Sequence, residues 1–135
     1  MFAAETLPNL PELTLEQAEH WVAAALAQAR ALRQHDEQLW PSVDDAEHIS
    51  RAEQLHAAWR IWADDASVLY QRLAPLMKAK RHVGGAADLN YTIARTRAML
   101  KLSPRDMLTR LDQMRRGEVV SAEEVRRELR MASDR

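Results

Sequence analysis

The stretch SRAEQLHAAWRIWADD, residues Ser50 to Asp65, carries three overlapping spacings. Arg51 and His56 form R-x-x-x-x-H, Glu53 and His56 form E-x-x-H, and Trp59 and Trp62 stand three residues apart. What lies on either side decides between chemistry and packing. Ile49, Ala52, His56, Trp59, Ala63, Ala66, Tyr70, Leu73 and Met77 recur at alternating steps of three and four, and Leu55, Trp62, Leu69 and Leu76 recur every seven beside them. Such a face, about three positions in seven wide, belongs to a helix buried along one side. The pattern predicts a helix over about 43–82, capped by Ser42 and Asp45 after Pro41. Pro75 is expected to kink its last turns or to end the regular helix near Ala74, and Gly84-Gly85 to close the element.

A second long helix precedes it. TLEQ, residues Thr14 to Gln17, reads as a capping box, in which the threonine hydroxyl and the glutamine amide satisfy free backbone groups reciprocally. The helix is expected over about 14–40. Its seam runs through Leu15, Ala18, Val22, Ala25, Ala29, Leu32, Asp36 and Leu39, with alanine at its centre. The few residues between the two helices make them antiparallel neighbours. Pairing them about that turn sets Ala29 near His56 and Ala25 near Trp59, so large side chains face small ones.

Residues 1–13 read as an extended arm whose Leu7, Leu10 and Leu13 can pack on the bundle or on another subunit. Beyond the hairpin of residues 14–82, residues 86–135 read as a C-terminal helical subdomain of three shorter helices. The first, over about Ala86–Leu100, turns Ala86, Leu89, Ile93, Thr96 and Leu100 to one face. The second opens at the Ser103-Pro104 cap, runs to about Arg116 and buries Met107, Leu108, Leu111 and Met114. The third is capped by Ser121 and carries a short stripe of Ala122, Val125 and Leu129. The expected fold is therefore all-α and bundle-like: one domain, a long antiparallel hairpin completed by three shorter helices.

Composition agrees. The chain has 135 residues, enough for one sizeable core. Of these, 23 are alanine and only 15 are valine, isoleucine or threonine, which leaves a large sheet without its preferred residues. There is no cysteine, so disulfides and thiolate chemistry are out. No apolar run approaches the ~20 residues that span a bilayer, and the opening residues lack a basic region ahead of an apolar one. A cytoplasmic protein is expected. The net charge of −1 conceals an asymmetry. Residues 1–77 carry 5 basic and 12 acidic side chains, net −7, and residues 78–135 carry 14 basic and 8 acidic, net +6.

The motifs in the opening stretch weaken on a helix. R-x-x-x-x-H resembles the motif of HEPN-type ribonucleases and implies, by that resemblance, an arginine and a histidine converging on one phosphodiester. Residues five apart on a helix point about 140° apart, however, and the pattern recurs at Arg30–His35. E-x-x-H is the spacing of carboxylate-bridged di-iron bundles, which use two such motifs and two further inward glutamates. Glu53–His56 stands alone here, and an Asp36–His48 contact across the hairpin supplies only two ligands. No G-x-S-x-G is present, and Gly84-Gly85 lacks the Lys-Ser/Thr of a P-loop. No catalytic residue, metal or cofactor is expected.

The expectation is a non-enzymatic helical protein–protein interaction module: an adaptor, an assembly subunit, or an antitoxin- or immunity-like partner. Trp21 and Trp40, on opposite flanks of the first seam, and Val125 and Leu129 near the C-terminus are the candidate partner contacts. Flanks that wide call for cover by the later helices or by a second copy in a homodimer. The alternative is a nucleic-acid-associated regulator using Lys78, Lys80, Arg81, Arg95, Arg97, Lys101 and Arg105 around the third helix. A HEPN-like ribonuclease is a distant third.

Overall fold

The computed structural model describes residues 13–39 and 45–115, and within these the side chains of residues 13–33 and 46–114. Four helices fill them in chain order: α1 (Leu15–Leu39), α2 (Asp45–Lys78), α3 (Ala86–Leu100) and α4 (Pro104–Arg115). They form an all-α bundle, with no strand among the described residues. The N-terminal arm before Leu13, Trp40 and Ser42, and the helix expected around Val125 and Leu129 lie outside the described residues.

Local chemistry starts α1 and α4 where the sequence says. The Gln17 amide donates to Thr14 Oγ1 at 3.1 Å while the Thr14 amide donates to Gln17 Oε1 at 3.0 Å, closing the capping box of α1. At α4 the Asp106 amide donates to Ser103 Oγ at 3.2 Å, with Pro104 in the first turn, where a missing N–H costs nothing.

The end of α2 departs from expectation. Its regular helix stops at Lys78 rather than near residue 82; of the two outcomes expected at Pro75, a kink in the last turns or an end near Ala74, the end does not occur and the helix runs through the proline. Pro75 sits on the exposed side, as does Gln71, whose carbonyl is the one a donor at position 75 would have served. The stop itself is a Schellman motif. The Arg81 amide reaches back to the Leu76 carbonyl at 3.1 Å and the Lys80 amide to the Met77 carbonyl at 3.0 Å. That closure needs a left-handed residue, and Lys80 supplies it at φ 62° where glycine is usual. Gly85 then takes φ 82° at the N-cap of α3. A Cβ there would lie 3.1 Å from Val22 Cγ1, so Gly85 is also what lets the turn approach α1.

One core joins all four helices. From α1 it takes Ala18, Val22, Ala25 and Ala29; from α2 Leu55, Trp59, Trp62, Ala63, Ala66, Leu69 and Leu73; from α3 Ala86, Leu89 and Ile93; from α4 Met107 and Leu111. Leu13, just ahead of α1, is buried with them. Helix α2 packs against each of the other three. Its buried line runs through Ala52, Leu55, Trp59, Trp62, Ala66, Leu69 and Leu73, which moves the centre toward what reads in sequence as the flank. Ile49 and Met77, assigned to the seam, are exposed at its two ends, and His56 and Tyr70 lie at its margin.

The small-residue stripe of α1 admits the tryptophans. Trp62 Nε1 donates to the Ala25 carbonyl at 2.9 Å in the buried interface, and the Trp59 ring stands edge-on to Trp62, 5.6 Å away at 82°. The bonded partner of Ala25 is thus one turn beyond Trp59, the residue that pairing about the turn placed there.

Candidate functional site

The three overlapping motifs separate in space. His56 reaches the corner between α3 and α4, where its Nε2 lies 3.2 Å from both the Leu100 and the Leu102 carbonyl oxygens. Carbonyls only accept, so Nε2 carries the proton and donates to both. The imidazole caps the C-terminal end of α3, where helical carbonyls lack intrahelical donors. It is a clamp holding α2 to the α3–α4 corner. Arg51 and His56 fall on opposite margins of the buried face of α2, about 140° apart, and Glu53 is exposed. Among the described residues no three histidine, aspartate or glutamate side chains gather in a metal-holding group. No helix among them is long and apolar enough to cross a membrane.

The concave feature of the bundle is a cleft of about 310 Å³ between α3 and α4, floored by Trp59 of α2 and reached by Arg33 of α1. Met99, Met107, Leu111 and Met114 line its apolar part. Methionines suit such a lining because their unbranched thioethers adapt to the shape of what they touch. Tyr91, half exposed, stands at the rim. Thr92, Arg95 and Thr96 complete the wall along α3, and among the described residues the charged ones lining this cleft are the two arginines. A shallower, more polar depression continues from it between α1 and α3, sharing Arg33, Tyr91 and Thr92 and adding Arg30 and Asp88.

Thr96 is the unusual member. Its side chain is only 7% exposed, yet among the described residues its hydroxyl has no hydrogen-bond partner. Other helical hydroxyls turn back to the carbonyl four residues earlier: Ser67 to Ala63 at 2.7 Å, Thr92 to Asp88 at 2.8 Å, Thr109 to Arg105 at 3.1 Å. In sequence, Thr96 reads as one more position of the apolar face of α3. Its hydroxyl in an otherwise apolar stripe was the available signal, but a cleft assembled from four helices has no linear spacing to betray it.

A second feature lies on α2, opposite the core. Ala57, Ile61, Asp64, Val68, Gln71 and Pro75 follow one another at steps of four and three, and all six are exposed. Ile61 is 65% exposed and Val68 39%. This outward seam is legible in the sequence by the same spacing as the inward one, but the stronger inward pattern masks it.

The residues singled out from sequence are dispersed. Trp21 is half-buried on α1 against the core, in edge contact with His20; Trp40, Val125 and Leu129 lie outside the described residues. Of the basic set, Lys78, Lys80 and Arg81 are exposed at the C-terminal end of α2, whereas Lys101 and Arg105 follow α3 at its far end. The length of α3 separates the groups by about 22 Å at 1.5 Å per residue. Arg95 faces α4, where its Nη2 donates to Met114 Sδ at 3.8 Å, while Arg97 donates to Ser67 Oγ of α2 at 2.6 Å. These two point about 160° apart on the helix, so the seven do not make one surface.

No family model matches the chain, and no curated protein or solved structure matches it either.

Proposed function

We propose that the protein is a non-enzymatic helical interaction module of the cytoplasm that associates through the outward face of α2, with a second copy of itself as the partner. The observation that supports this reading is the exposed seam of Ala57, Ile61, Val68 and Pro75 on the helix that already anchors the whole bundle. Large aliphatic side chains at heptad spacing on a solvent face stabilise a helix pair when covered. The seam is self-complementary. Ile61 stands at the middle of α2, so a two-fold antiparallel pairing brings Ile61 onto its own counterpart. Asp64 and Gln71 within the seam would fix its register, as polar seam residues do.

A nucleic-acid-associated regulator finds less support, because its basic residues fall into separate groups. The ribonuclease reading finds less still, because His56 is committed to backbone carbonyls. The test is molar mass by light scattering. The unchanged chain is expected at twice the mass of one copy, and Ile61→Arg at one, with the helical circular dichroism of both alike. A single-copy mass for the unchanged chain sinks the self-association; a doubled mass that survives Ile61→Arg removes α2 as the interface.

A further inference from the structure

The wall that α4 gives to the cleft is apolar and regular. Met107, Leu111 and Met114 follow one another there at steps of four and three, with Met99 of α3 and Trp59 of α2 lining the same space. From Met107 to Met114 the row is about 10 Å long at 1.5 Å per residue. Its two ends are distinct. Met107 and Met99 lie toward the α3–α4 corner, whereas Met114 is one turn of α3 further away, beside Arg95. Met114 is also next to the end of the described chain: Arg115 follows it directly, and residues 116–135 continue from the far end of the cleft.

We propose that the cleft is the docking site of the chain's own C-terminal segment, residues 121–130, seated as an amphipathic helix antiparallel to α4. Ser121 is the helix start that the sequence offers there, and Ala122, Val125 and Leu129 are its stripe. The steps of that stripe are three and four. Read in reverse they are four and three, the steps of Met107, Leu111 and Met114. An antiparallel pairing therefore sets Leu129 on Met107, Val125 on Leu111 and Ala122 on Met114 in a single register. The turn is long enough: RGEVV, residues 116–120, extends to about 16 Å, and packed helix axes lie about 8–10 Å apart. At about 310 Å³ the cleft takes side chains rather than a whole helix, which is about 10 Å across. The segment thus lies over the mouth and seats its stripe, as helices do in apolar grooves. So short a helix is marginal in water until its apolar face is covered. A tether this short holds the segment at an effective concentration on the order of millimolar, which favours it over the same segment of another chain. Val125 and Leu129, which read in sequence as partner contacts, are then taken up by the bundle itself. The cleft and the outward seam of α2 share no residue, so this docking does not depend on the dimer reading.

The experiment uses the full chain labelled at its methionine methyl groups and followed by NMR. Met99, Met107 and Met114 report the cleft, and Met77, exposed near the end of α2, serves as the reference outside it. Val125→Asp with Leu129→Asp puts two carboxylates where the stripe is to be buried. It should shift the three cleft methionines and leave Met77 in place. Arg127→Asp, about 180° from the centre of the stripe on the same helix, should move none of the four. The chain has no cysteine of its own, so a paired substitution can form one disulfide within a chain. Leu129→Cys is combined in turn with Met99→Cys, with Met107→Cys and with Asn90→Cys, the last exposed on the far side of α3 from the cleft. On mild oxidation a cross-link at single-copy mass is expected with Met99→Cys or Met107→Cys and not with Asn90→Cys. The proposal is overturned by cleft methionines that ignore the double substitution, by Met77 moving as much as they do, or by an equal response to Arg127→Asp. Failure of both cleft cysteines to cross-link overturns it as well, and so does a cross-link that joins two chains, which would give the cleft to a second copy. A single-copy light-scattering mass alongside these shifts would fault the interface reading alone.

Discussion

Replacing His56 by alanine tests whether the histidine of the central helix is structural. The imidazole makes one shared hydrogen bond to two carbonyls, Leu100 and Leu102, each at 3.2 Å. A neutral hydrogen bond contributes about 0.5–1.5 kcal/mol net. The ring is half-buried, so truncating it forfeits about 1 kcal/mol more, roughly half the value of a fully buried side chain. The total is about 2 kcal/mol. For a chain of this length each kcal/mol moves the melting temperature by roughly 3–5 °C, so His56→Ala should melt about 6–10 °C lower. Thermal denaturation followed by circular dichroism measures it. His56→Gln keeps an N–H donor of similar reach and should recover about half of the loss. An unchanged melting temperature for His56→Ala, or a glutamine variant no better than alanine, refutes the clamp. Loss of an RNA-cleaving activity with stability intact would restore the catalytic reading of R-x-x-x-x-H.

Three further substitutions probe the turn that leads from α2 into α3. Gly85→Ala should destabilise by about 1–2 kcal/mol, from the left-handed φ of 82° and the 3.1 Å approach to Val22 Cγ1. Gly84→Ala, whose added carbon would meet only Glu19 side-chain atoms at 3.6 Å, should change stability by under about 0.5 kcal/mol. Urea denaturation of the pair decides, and equal losses would contradict the geometry. Lys80→Gly should stabilise by about 0.5–1 kcal/mol in the same assay, because an exposed lysine at φ 62° closes the Schellman motif against its preference. A destabilised Lys80→Gly would mean that the lysine side chain contributes more than its backbone costs.

The elements were legible because their signals are local. Thr14 with Gln17 and Ser103 with Pro104 announce two helix starts by chemistry confined to one turn, and the apolar spacing gives the type and approximate extent of each described helix. Errors arose where a choice depended on neighbours. Pro75 reads as a kink or a stop, but on an exposed helix face the lost hydrogen bond is tolerated within the helix, and the chain turns at Lys80, a residue no turn rule selects. Ala25 and Trp62 pair one turn from the simple register because an indole N–H in the core must find an acceptor, and the Ala25 carbonyl supplies it.

The sequence by itself determined that this is an all-α bundle, with alanines of α1 facing large side chains of α2, because periodicity and caps are written in residues a few places apart. Tertiary structure decided what the singular residues do. His56 became a clamp because Leu100 and Leu102 arrive beside it from 44 and 46 residues away. Thr96 came to line a cleft because residues from all four helices meet there. A linear pattern encodes which face of a helix avoids water; which partner meets that face depends on packing across the whole chain, and the candidate site lies in that second layer.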